Sequence, residues 1–274
     1  MAPVILMHRR TNMNIARQYV TEAILLAVRD SAHADRMVTL FSREHGKMQA
    51  VAYGARQAKS RLGGCLQPFA CMRVALTRAN GLETINQCEI TQSFRELRED
   101  ITLLSYASFL SELVSELWPE LQPDEAVYDL LLTAFHLLPH RNPRITALAC
   151  GWQLVSLAGF HPEYSLCVRC GRAIDQTAGF SCGQGGCVCR ACQQEQLPEF
   201  PLSVGELMEK LFKLDWQQPA AFSVNSKALL QLENILHGYV EYQLGKPLKS
   251  LVFIKQLARS EAMDKNNRLG DNKG

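Results

Sequence analysis

The stretch that decides the fold covers residues 36–53, RMVTLFSREHGKMQAVAY. Its first part, residues 37–41, is rich in β-forming side chains, and the turn residues Glu-His-Gly follow at positions 44–46. Polar and apolar side chains then alternate over residues 47–53. Two short strands joined by a tight turn are typical of an antiparallel β-hairpin. The N-terminal third of the chain is therefore predicted to be built from short strands.

Working outward, three further segments have the length and composition of strands. They are residues 23–28, 66–76 and 84–90. Five short strands within about 80 residues favour a small barrel or sandwich, and the OB fold is the five-stranded barrel of that group. We therefore predict an OB-fold barrel over residues 15–92, preceded by a flexible lead-in over residues 1–14.

From about residue 93 the spacing of apolar residues becomes helical. The signals are an apolar stripe, two capped helix starts, a Ser/Glu capping box and a longer helix with Gly and Pro stop signals. The apolar stripe consists of Leu103, Ala107, Leu110, Val114 and Leu117. Asp124 caps one helix, which ends at Pro139, and Asn142 caps the next, which has Pro143 at its first position. The capping box is Ser203 with Glu206, and the longer helix covers residues 226–244, with Gly245 and Pro247 as stop signals. These signals predict an α-helical domain over residues 93–165 and 194–259, closed by an apolar stretch at 251–257. The polar residues 260–274 are predicted to form a disordered tail.

Composition and charge restrict the class of protein. The chain has 274 residues, 47% hydrophobic and 20% charged, which excludes a disordered chain, a collagen-like repeat and a coiled-coil rod. No apolar run approaches the roughly 20 residues of a membrane span, and the first ten residues do not resemble a signal peptide, so we expect a cytoplasmic protein without membrane contact. Residues 1–92 hold 12 Lys and Arg against 6 Asp and Glu, whereas residues 93–274 hold 17 against 21. A polyanion is therefore expected to contact the N-terminal part first.

Two CxxC knuckles, separated by 18 residues, lie in the second half of the chain. They are formed by Cys167, Cys170, Cys189 and Cys192. Four thiolates in this arrangement bind Zn²⁺ and leave no open position for water, which predicts a structural zinc-binding insert over residues 166–193. Two nearby thiols, Cys182 and Cys187, leave the choice of ligands open. The alternative is a group of reduced, metal-free thiols or a redox pair.

The second local signal is a basic stretch with flanking glycines, GARQAKSRLGG at residues 54–64. Its cations Arg56, Lys59 and Arg61 are suited to phosphates, but a solvated surface loop has nearly the same composition. Both interpretations stay open. The nearby aromatic residues are Tyr53, Phe41 and Phe69. They offer stacking faces for bases, although aromatic residues in a small barrel more often belong to its core.

Signals for catalysis are weak. The chain has no GxxxxGK[ST] phosphate loop, and its seven His form neither an HExxH motif nor the HxE and PCxxC pair of zinc deaminases. His136 and His140 stand four residues apart on a predicted helix, either as half of a metal site or as ordinary exposed residues. We therefore expect no enzymatic activity.

Three groups of residues resemble the RecO family of bacterial DNA repair proteins. They are RMVTLFSREHGK at residues 36–47; the Gly-Ala-Arg at 54–56 with KSRLGG at 59–64 and LQPF at 66–69; and the motifs Cys-x-x-Cys-Gly, Phe-Ser and Gly-Gly-x-x-Cys-x-x-Cys within residues 167–192. The resemblance extends over residues 15–255. Cys182 and Cys187 are additional thiols, and some members of the family have lost zinc ligands, so the resemblance does not guarantee the metal.

The resemblance implies an α+β multidomain protein, with a five-stranded OB-fold barrel followed by an α-helical domain that carries a four-cysteine zinc insert. It implies a non-catalytic recombination mediator that binds single- and double-stranded DNA and anneals complementary strands. The implied partners are the C-terminal tail of single-strand-binding protein and RecR, with RecF a further candidate and RecA an indirect one. Such a protein acts in the cytoplasm, associated with the nucleoid.

The resulting site prediction has two parts. The candidate DNA-binding residues are Arg36, Arg43, Lys47, Arg56, Lys59 and Arg61, and the candidate ligands of one structural Zn²⁺ per chain are Cys167, Cys170, Cys189 and Cys192. The alternative from a different class is a zinc-ribbon nucleic-acid enzyme or a thiol redox protein, with its site among Cys182, Cys187 and the histidines.

Overall fold

The computed structural model describes residues 17–79, 82–217 and 224–271, so the predicted lead-in at residues 1–14 lies outside the described residues. The predicted fold class is confirmed, because a five-stranded barrel is followed by helices and a cysteine-rich insert. The barrel strands are β1 (Arg17–Asp30), β2 (Arg36–Ser42), β3 (Gly46–Ala52), β4 (Cys71–Ala79) and β5 (Leu82–Gln92).

The barrel is closed, with its strands in the order β1-β2-β3-β5-β4. Neighbouring strands are antiparallel except β3 and β5, which pair in parallel. The long strand β1 allows this closure, because it pairs with β4 through its first half and with β2 through its second half. A bulge between Leu25 and Ala27 interrupts its pairing with β2. A five-stranded barrel of this kind is of the OB type.

The middle of strand β1, residues 23–26, is buried on both faces, which explains the uninterrupted apolar run there. Ala23 and Leu25 face the barrel interior. Ile24 and Leu26 point the other way and belong to the cluster that the barrel forms with the helices. The barrel and the helical part therefore share one apolar contact, rather than being joined by a linker alone.

The basic stretch at residues 54–64 is a loop only in its first part. Its second part forms the short helix α1 (Arg61–Cys65), whose Leu62 packs against the apolar interior of the barrel. The strand predicted over residues 66–76 begins only with β4. Phe69 has a positive φ of 69°, a conformation that strand residues do not adopt, and it therefore ends the preceding turn.

The helical part follows directly after the barrel. It contains α2 (Glu96–Glu99), α3 (Ile101–Leu117), α4 (Glu125–Leu137), α5 (Pro143–Leu157), α6 (Leu202–Phe212), α7 (Ser226–Leu244) and α8 (Lys249–Asp271). Helix α5 is central, because it packs against α3, α4, α6 and α7 and buries Trp152 completely. No helix in the described part of the chain has the length and apolar character needed to cross a bilayer.

The helix starts follow two of the predicted caps and depart from a third. Asp124 and Asn142 accept backbone N–H bonds at the starts of α4 and α5, as predicted. The capping box predicted at Ser203 is wrong, because α6 already begins at the preceding residue and no side chain caps it. Pro201 occupies the N-cap position in an extended conformation, so Ser203 falls inside the first turn, where it cannot act as the cap.

Helix α8 is much longer than the apolar stretch predicted at residues 251–257. It continues to Asp271 and so enters the segment 260–274, for which the sequence predicts a disordered tail. The difference arises because Glu, Lys, Arg, Met and Ala favour helix even where no apolar period is present.

The start of α8 is capped by a side chain from another helix. The Glu112 carboxylate of α3 accepts hydrogen bonds from the backbone N–H groups of Lys249, at 3.0 Å, and Ser250, at 2.8 Å. Two of the otherwise unpaired N–H groups of the first turn are thereby satisfied.

The region between α5 and α6 contains a small sheet in the order β7-β6-β8. Its strands are β6 (Ala178–Ser181), β7 (Gly186–Val188) and β8 (Glu199–Phe200). The sheet extends beyond residue 193, the predicted end of the insert, because β8 pairs with β6 and places Phe200 against Phe180. The Phe180 ring also contacts Tyr239 of α7 edge to face, with ring centroids 5.6 Å apart. The insert is therefore packed onto the helical core.

We predict that Gly46→Ala lowers the free energy of unfolding by more than about 2 kcal/mol, because strain at positive φ and a steric clash add together. Gly46 has a φ of 69°, and a Cβ atom there would lie 2.0 Å from the backbone oxygen of Gln122. Urea denaturation measures the difference. Gly64→Ala is the matched control, since an added Cβ meets no atom within 4 Å. Equal stability of the two variants would contradict the described contact.

Candidate functional site

The four predicted knuckle cysteines come together in the insert. They are Cys167, Cys170, Cys189 and Cys192. Their sulfur atoms all lie within 4.8 Å of one another, and the Cys170 and Cys189 sulfurs are 3.8 Å apart. Among the described residues, no other group of three or more His, Cys, Asp or Glu side chains converges in this way. Four thiols at these distances can bind a metal ion.

Backbone hydrogen bonds fix the two turns that carry the sulfurs. In the first turn the Gly171 N–H donates to the Cys167 carbonyl at 2.8 Å, and Gly171 adopts a positive φ of 72° that glycine tolerates best. In the second turn the Cys192 N–H donates to the Cys189 carbonyl at 3.0 Å. The Cys189 N–H also donates to the Cys167 sulfur at 3.4 Å, which links the two turns.

The electrostatics of this cluster favour thiolates only in part. Burial opposes ionisation of Cys167, but N–H groups, that of Cys189 foremost, donate to its sulfur and lower its pKa to about 6. A backbone N–H also lowers the pKa of Cys170. By contrast, contacts with the thiols of Cys170 and Cys189 raise the pKa of Cys192 to about 12. A bound cation would remove the repulsion that keeps all four sulfurs from ionising together.

The two extra thiols of the insert stay outside the cluster. Burial raises the pKa of Cys182, and it raises the pKa of Cys187 to about 12. A raised pKa disfavours the reactive thiolate, which weighs against a redox site at these two residues. His136 packs edge to face against Phe94, and neither it nor His140 belongs to a converging ligand group in the described ranges.

Four of the six candidate DNA-binding cations lie at one end of the barrel. Arg36 and Arg56 place their Nε atoms 3.4 and 3.5 Å from the carboxylate oxygens of Asp30. Lys59 and Arg61 are exposed, and neither has a hydrogen bond or ion pair with the residues that the structure describes. The least compensated positive charge at this end therefore comes from Lys59 and Arg61.

The other two candidates lie in the contact between the barrel and the helices. Arg43 pairs through both terminal nitrogens with Asp129 of α4 and lies 4.6 Å from the centre of the Tyr128 ring; hydrogen bonding to Asp129 raises its pKa. Lys47 donates to the Ser115 carbonyl at 2.5 Å, and burial lowers its pKa. Both cations are therefore engaged within the fold.

The three candidate stacking residues divide between core and surface. Phe41 and Phe69 are buried in the cluster shared with the helices. Tyr53 is 59% exposed at the start of the basic loop, so it alone of the three presents an open ring face.

An open groove of about 590 Å³ lies beside α1 on the barrel wall; we call it the barrel groove. Its lining includes Val20, Arg61, Arg73, Asn86, Gln87 and Cys88. Sequence analysis missed Arg73, Asn86 and Gln87. The alternation of inward and outward side chains along β4 places Arg73 on the outside of the barrel. The residues that form the groove with it come from other strands, so the sequence of β4 alone does not indicate the groove. In the strand register Arg73 lies between Glu22 and Glu89.

A second groove of about 580 Å³, here named the helix groove, lies between β1, α3 and the start of α8. Its lining combines the apolar residues Val28, Leu104 and Phe253 with three cations and two acids; the charged residues are Arg29, Lys246, Lys249, Glu112 and Glu116. Lys246 also pairs with Glu116 at 2.8 Å. The sequence did not indicate this groove, because its walls come from segments more than 200 residues apart.

Comparisons with known proteins match both halves of the chain to one family. The family model described as "Recombination protein O N terminal" matches residues 13–94, and the one described as "Recombination protein O C terminal" matches residues 98–252. The chain belongs to the RecO family. The point where the first RecO match ends and the second begins is also where β5 gives way to the helices.

Curated members of the RecO family resemble the chain over most of its length. The DNA repair protein RecO of Symbiobacterium thermophilum is 36% identical over 87% of this chain and 97% of its own. That of Pelotomaculum thermopropionicum is 33% identical over 89% and 96%, and that of Bacillus subtilis 29% over 92% and 98%. Membership of the RecO family supports a role in DNA repair and recombination.

Proposed function

We propose that this chain is a non-catalytic DNA-binding mediator of recombination, which binds single- and double-stranded DNA and anneals complementary strands. The observation that carries the proposal is the position of its uncompensated cations. Lys59 and Arg61 project from the exposed loop and helix beside the barrel groove, in a protein of a DNA repair family. Lysine and arginine side chains of this kind bind phosphates by counterion release and are indifferent to base sequence.

The six candidate cations are assigned different roles in this proposal. Arg56, Lys59 and Arg61 contact the phosphates, whereas Arg73, which lies between Glu22 and Glu89 in the strand register, contributes less. Tyr53, which is exposed at the start of the loop, supplies a face on which a base can stack. Arg36 supports this surface through Asp30, which it shares with Arg56. Arg43 and Lys47 hold the barrel to the helices and contribute little to DNA affinity.

Annealing follows from the same charges. Two complementary strands repel each other through their phosphates, and cations that neutralise part of this charge lower the repulsion. A protein that binds without reading bases leaves their pairing edges free. No group of this chain has to make or break a covalent bond for the strands to pair.

We predict that charge reversal at Arg56, Lys59 and Arg61 together weakens DNA binding and lowers the salt dependence. Loss of three phosphate contacts reduces the slope of log affinity against log salt by about 2 to 3. Fluorescence anisotropy with a labelled oligonucleotide over a range of salt concentrations measures both. The control reverses three exposed cations of the helical part, Arg141, Lys210 and Lys227. Unchanged binding of the loop variant at low salt would remove this loop from the proposed surface.

We further propose that the four-cysteine cluster binds one structural zinc ion. The donor set fits, because Zn–S bonds of about 2.3 Å in a tetrahedron place the sulfurs roughly 3.8 Å apart, the separation found for Cys170 and Cys189. Zinc bound by Cys167, Cys170, Cys189 and Cys192 would cross-link the two turns and brace the small sheet against α7. Because four thiolates fill its coordination sphere, we assign this ion no catalytic role.

We predict that the purified protein contains about one zinc per chain, the capacity of one four-thiolate site, and that Cys189→Ser loses it. Metal analysis by mass spectrometry measures the content. Cys182→Ser is the matched control from the same insert and is expected to retain the metal. Loss of zinc from the Cys182 variant alone would show that the ligand set is assigned incorrectly.

The helix groove is the surface that we propose for the C-terminal tail of single-strand-binding protein. An acidic peptide with apolar side chains requires an apolar floor with a basic rim. Phe253 and Leu104 supply the floor, and Arg29 and Lys249 supply the rim. With this tail bound, the protein would reach coated DNA and, with RecR, help to load RecA at gaps; RecF is a further candidate partner. We place the protein in the cytoplasm with the nucleoid.

We predict that Phe253→Ala weakens binding of a synthetic peptide of this acidic tail about tenfold, since exposed aromatic anchors commonly contribute more than 1 kcal/mol to an interface. Val252→Ala is the control, because Val252 is exposed on the same helix but does not line the groove. Isothermal titration calorimetry measures both affinities. Equal affinities would place the tail elsewhere.

A further inference from the structure

Two of the ten cysteines have no role in the fold or in the sites described above. The cluster accounts for four, Cys71, Cys150 and Cys187 are buried, and the partly buried Cys182 packs against the helical core. The remaining two are Cys65 and Cys88, and both are partly exposed. Their position beside the barrel groove makes them the strongest unexplained feature of the molecule.

Cys65 and Cys88 face each other across the contact between α1 and β5. Cys65 is the last residue of α1, and its thiol donates a hydrogen bond to the Cys88 carbonyl at 3.2 Å. Cys88 packs at the edge of the barrel interior next to Leu62 and lines the barrel groove together with Arg61. Burial, together with the adjacent Cys65 thiol, raises the pKa of Cys88 to about 12.

This geometry assigns different chemical roles to the two thiols. Burial disfavours the thiolate of Cys88, so we assign the first attack on an oxidant to the partly exposed Cys65, once its thiol has lost the proton that it donates to the Cys88 carbonyl. Because Cys88 is the nearest thiol to it, an oxidised Cys65 has a resolving partner at hand. Cys65 is itself partly exposed and Cys88 lines the open groove, so small polar oxidants can reach the pair.

We propose that Cys65 and Cys88 form a reversible disulfide when the protein meets hydrogen peroxide, and that this bond locks α1 onto β5. The Cys65 thiolate attacks one peroxide oxygen, the O–O bond breaks, and the leaving hydroxide is protonated to water, which leaves a sulfenic acid. The Cys88 sulfur then attacks the oxidised sulfur, and the departing hydroxide takes the Cys88 proton as a second water. Two thiols lose two electrons and two protons, and one peroxide yields two waters.

The consequence for DNA rests on the proposed function. Arg61 is the first residue of the helix that Cys65 ends, so a bond between Cys65 and Cys88 draws α1 toward the wall of the barrel groove. The crosslink is therefore expected to withdraw Arg61 from a bound strand. The loss of one single-strand phosphate contact corresponds to about a fivefold lower affinity at 0.1 M salt. A thiol reductant restores the affinity.

The test treats the full-length, zinc-loaded protein with hydrogen peroxide, blocks remaining thiols with N-ethylmaleimide and analyses tryptic peptides by mass spectrometry. Cleavage at Arg61 and Arg73 gives one peptide with Cys65 and Cys71, and cleavage at Arg78 and Arg95 gives one with Cys88. The expected product is these two peptides joined, about 2 Da lighter than their sum and separated by reduction.

Variants identify the sulfurs that are joined. The crosslink is expected to persist in Cys71→Ala and to vanish in Cys65→Ser and in Cys88→Ser. Fragmentation of the joined wild-type peptides gives the same assignment if the Cys71 variant does not fold. Recovery of both peptides uncrosslinked, or joined only between two molecules, would overturn the disulfide.

Measuring DNA affinity distinguishes a failure of the disulfide proposal from a failure of the proposed DNA-binding function. Oligonucleotide affinity is compared between reduced and peroxide-treated protein, with the Cys88→Ser variant treated in the same way. Equal affinities despite a formed crosslink would overturn the regulatory part. Absence of DNA binding by the reduced protein would refute the proposed function. The mass spectra of the peptides would still show whether the disulfide forms.

Discussion

The apolar contact between the outer face of β1 and the helices is the constraint on which the rest of the structure depends. Ile24 and Leu26 of β1, with Phe41 and Phe69, are buried in the same cluster as Phe135 of α4. Burial of such side chains contributes roughly 1.5 to 3 kcal/mol each. A small barrel is thus stabilised from outside as well as from within, and the two halves of the chain fix each other's position.

This contact also determines which cations are held in pairs at the interface and which remain exposed to bind a ligand. Arg43 and Lys47 surround the apolar patch and pair with groups on α4 and α3, so they satisfy polar groups at the rim of the interface. Lys59 and Arg61 lie beyond the reach of the helices and keep their charge exposed. Strand β2 has Arg43, which pairs with Asp129, just beyond one end, and at its other end Arg36, which is only partly exposed and pairs with Asp30.

The sequence predicted what local periodicity and spacing determine. The five strands, the caps at Asp124 and Asn142 and the convergence of the four knuckle cysteines all followed from short-range patterns. The sequence did not show that Arg43 is held in an ion pair while Lys59 stays unpaired. Whether a cation is paired depends on acidic residues that are distant in the sequence and close only in the fold. For the same reason, both grooves and the Cys65–Cys88 contact were beyond sequence analysis, since each joins segments that only the tertiary fold brings together.

The cap that α3 places on α8 makes the end of the chain depend on its middle. Glu112 accepts bonds from backbone groups 137 and 138 residues away. During synthesis, α3 leaves the ribosome long before α8 has been made. Until then, the Glu112 carboxylate and the neighbouring apolar side chains of α3 are in contact with water. A chain without residues 249–271 would leave the face of α3 that contacts α8 exposed to water.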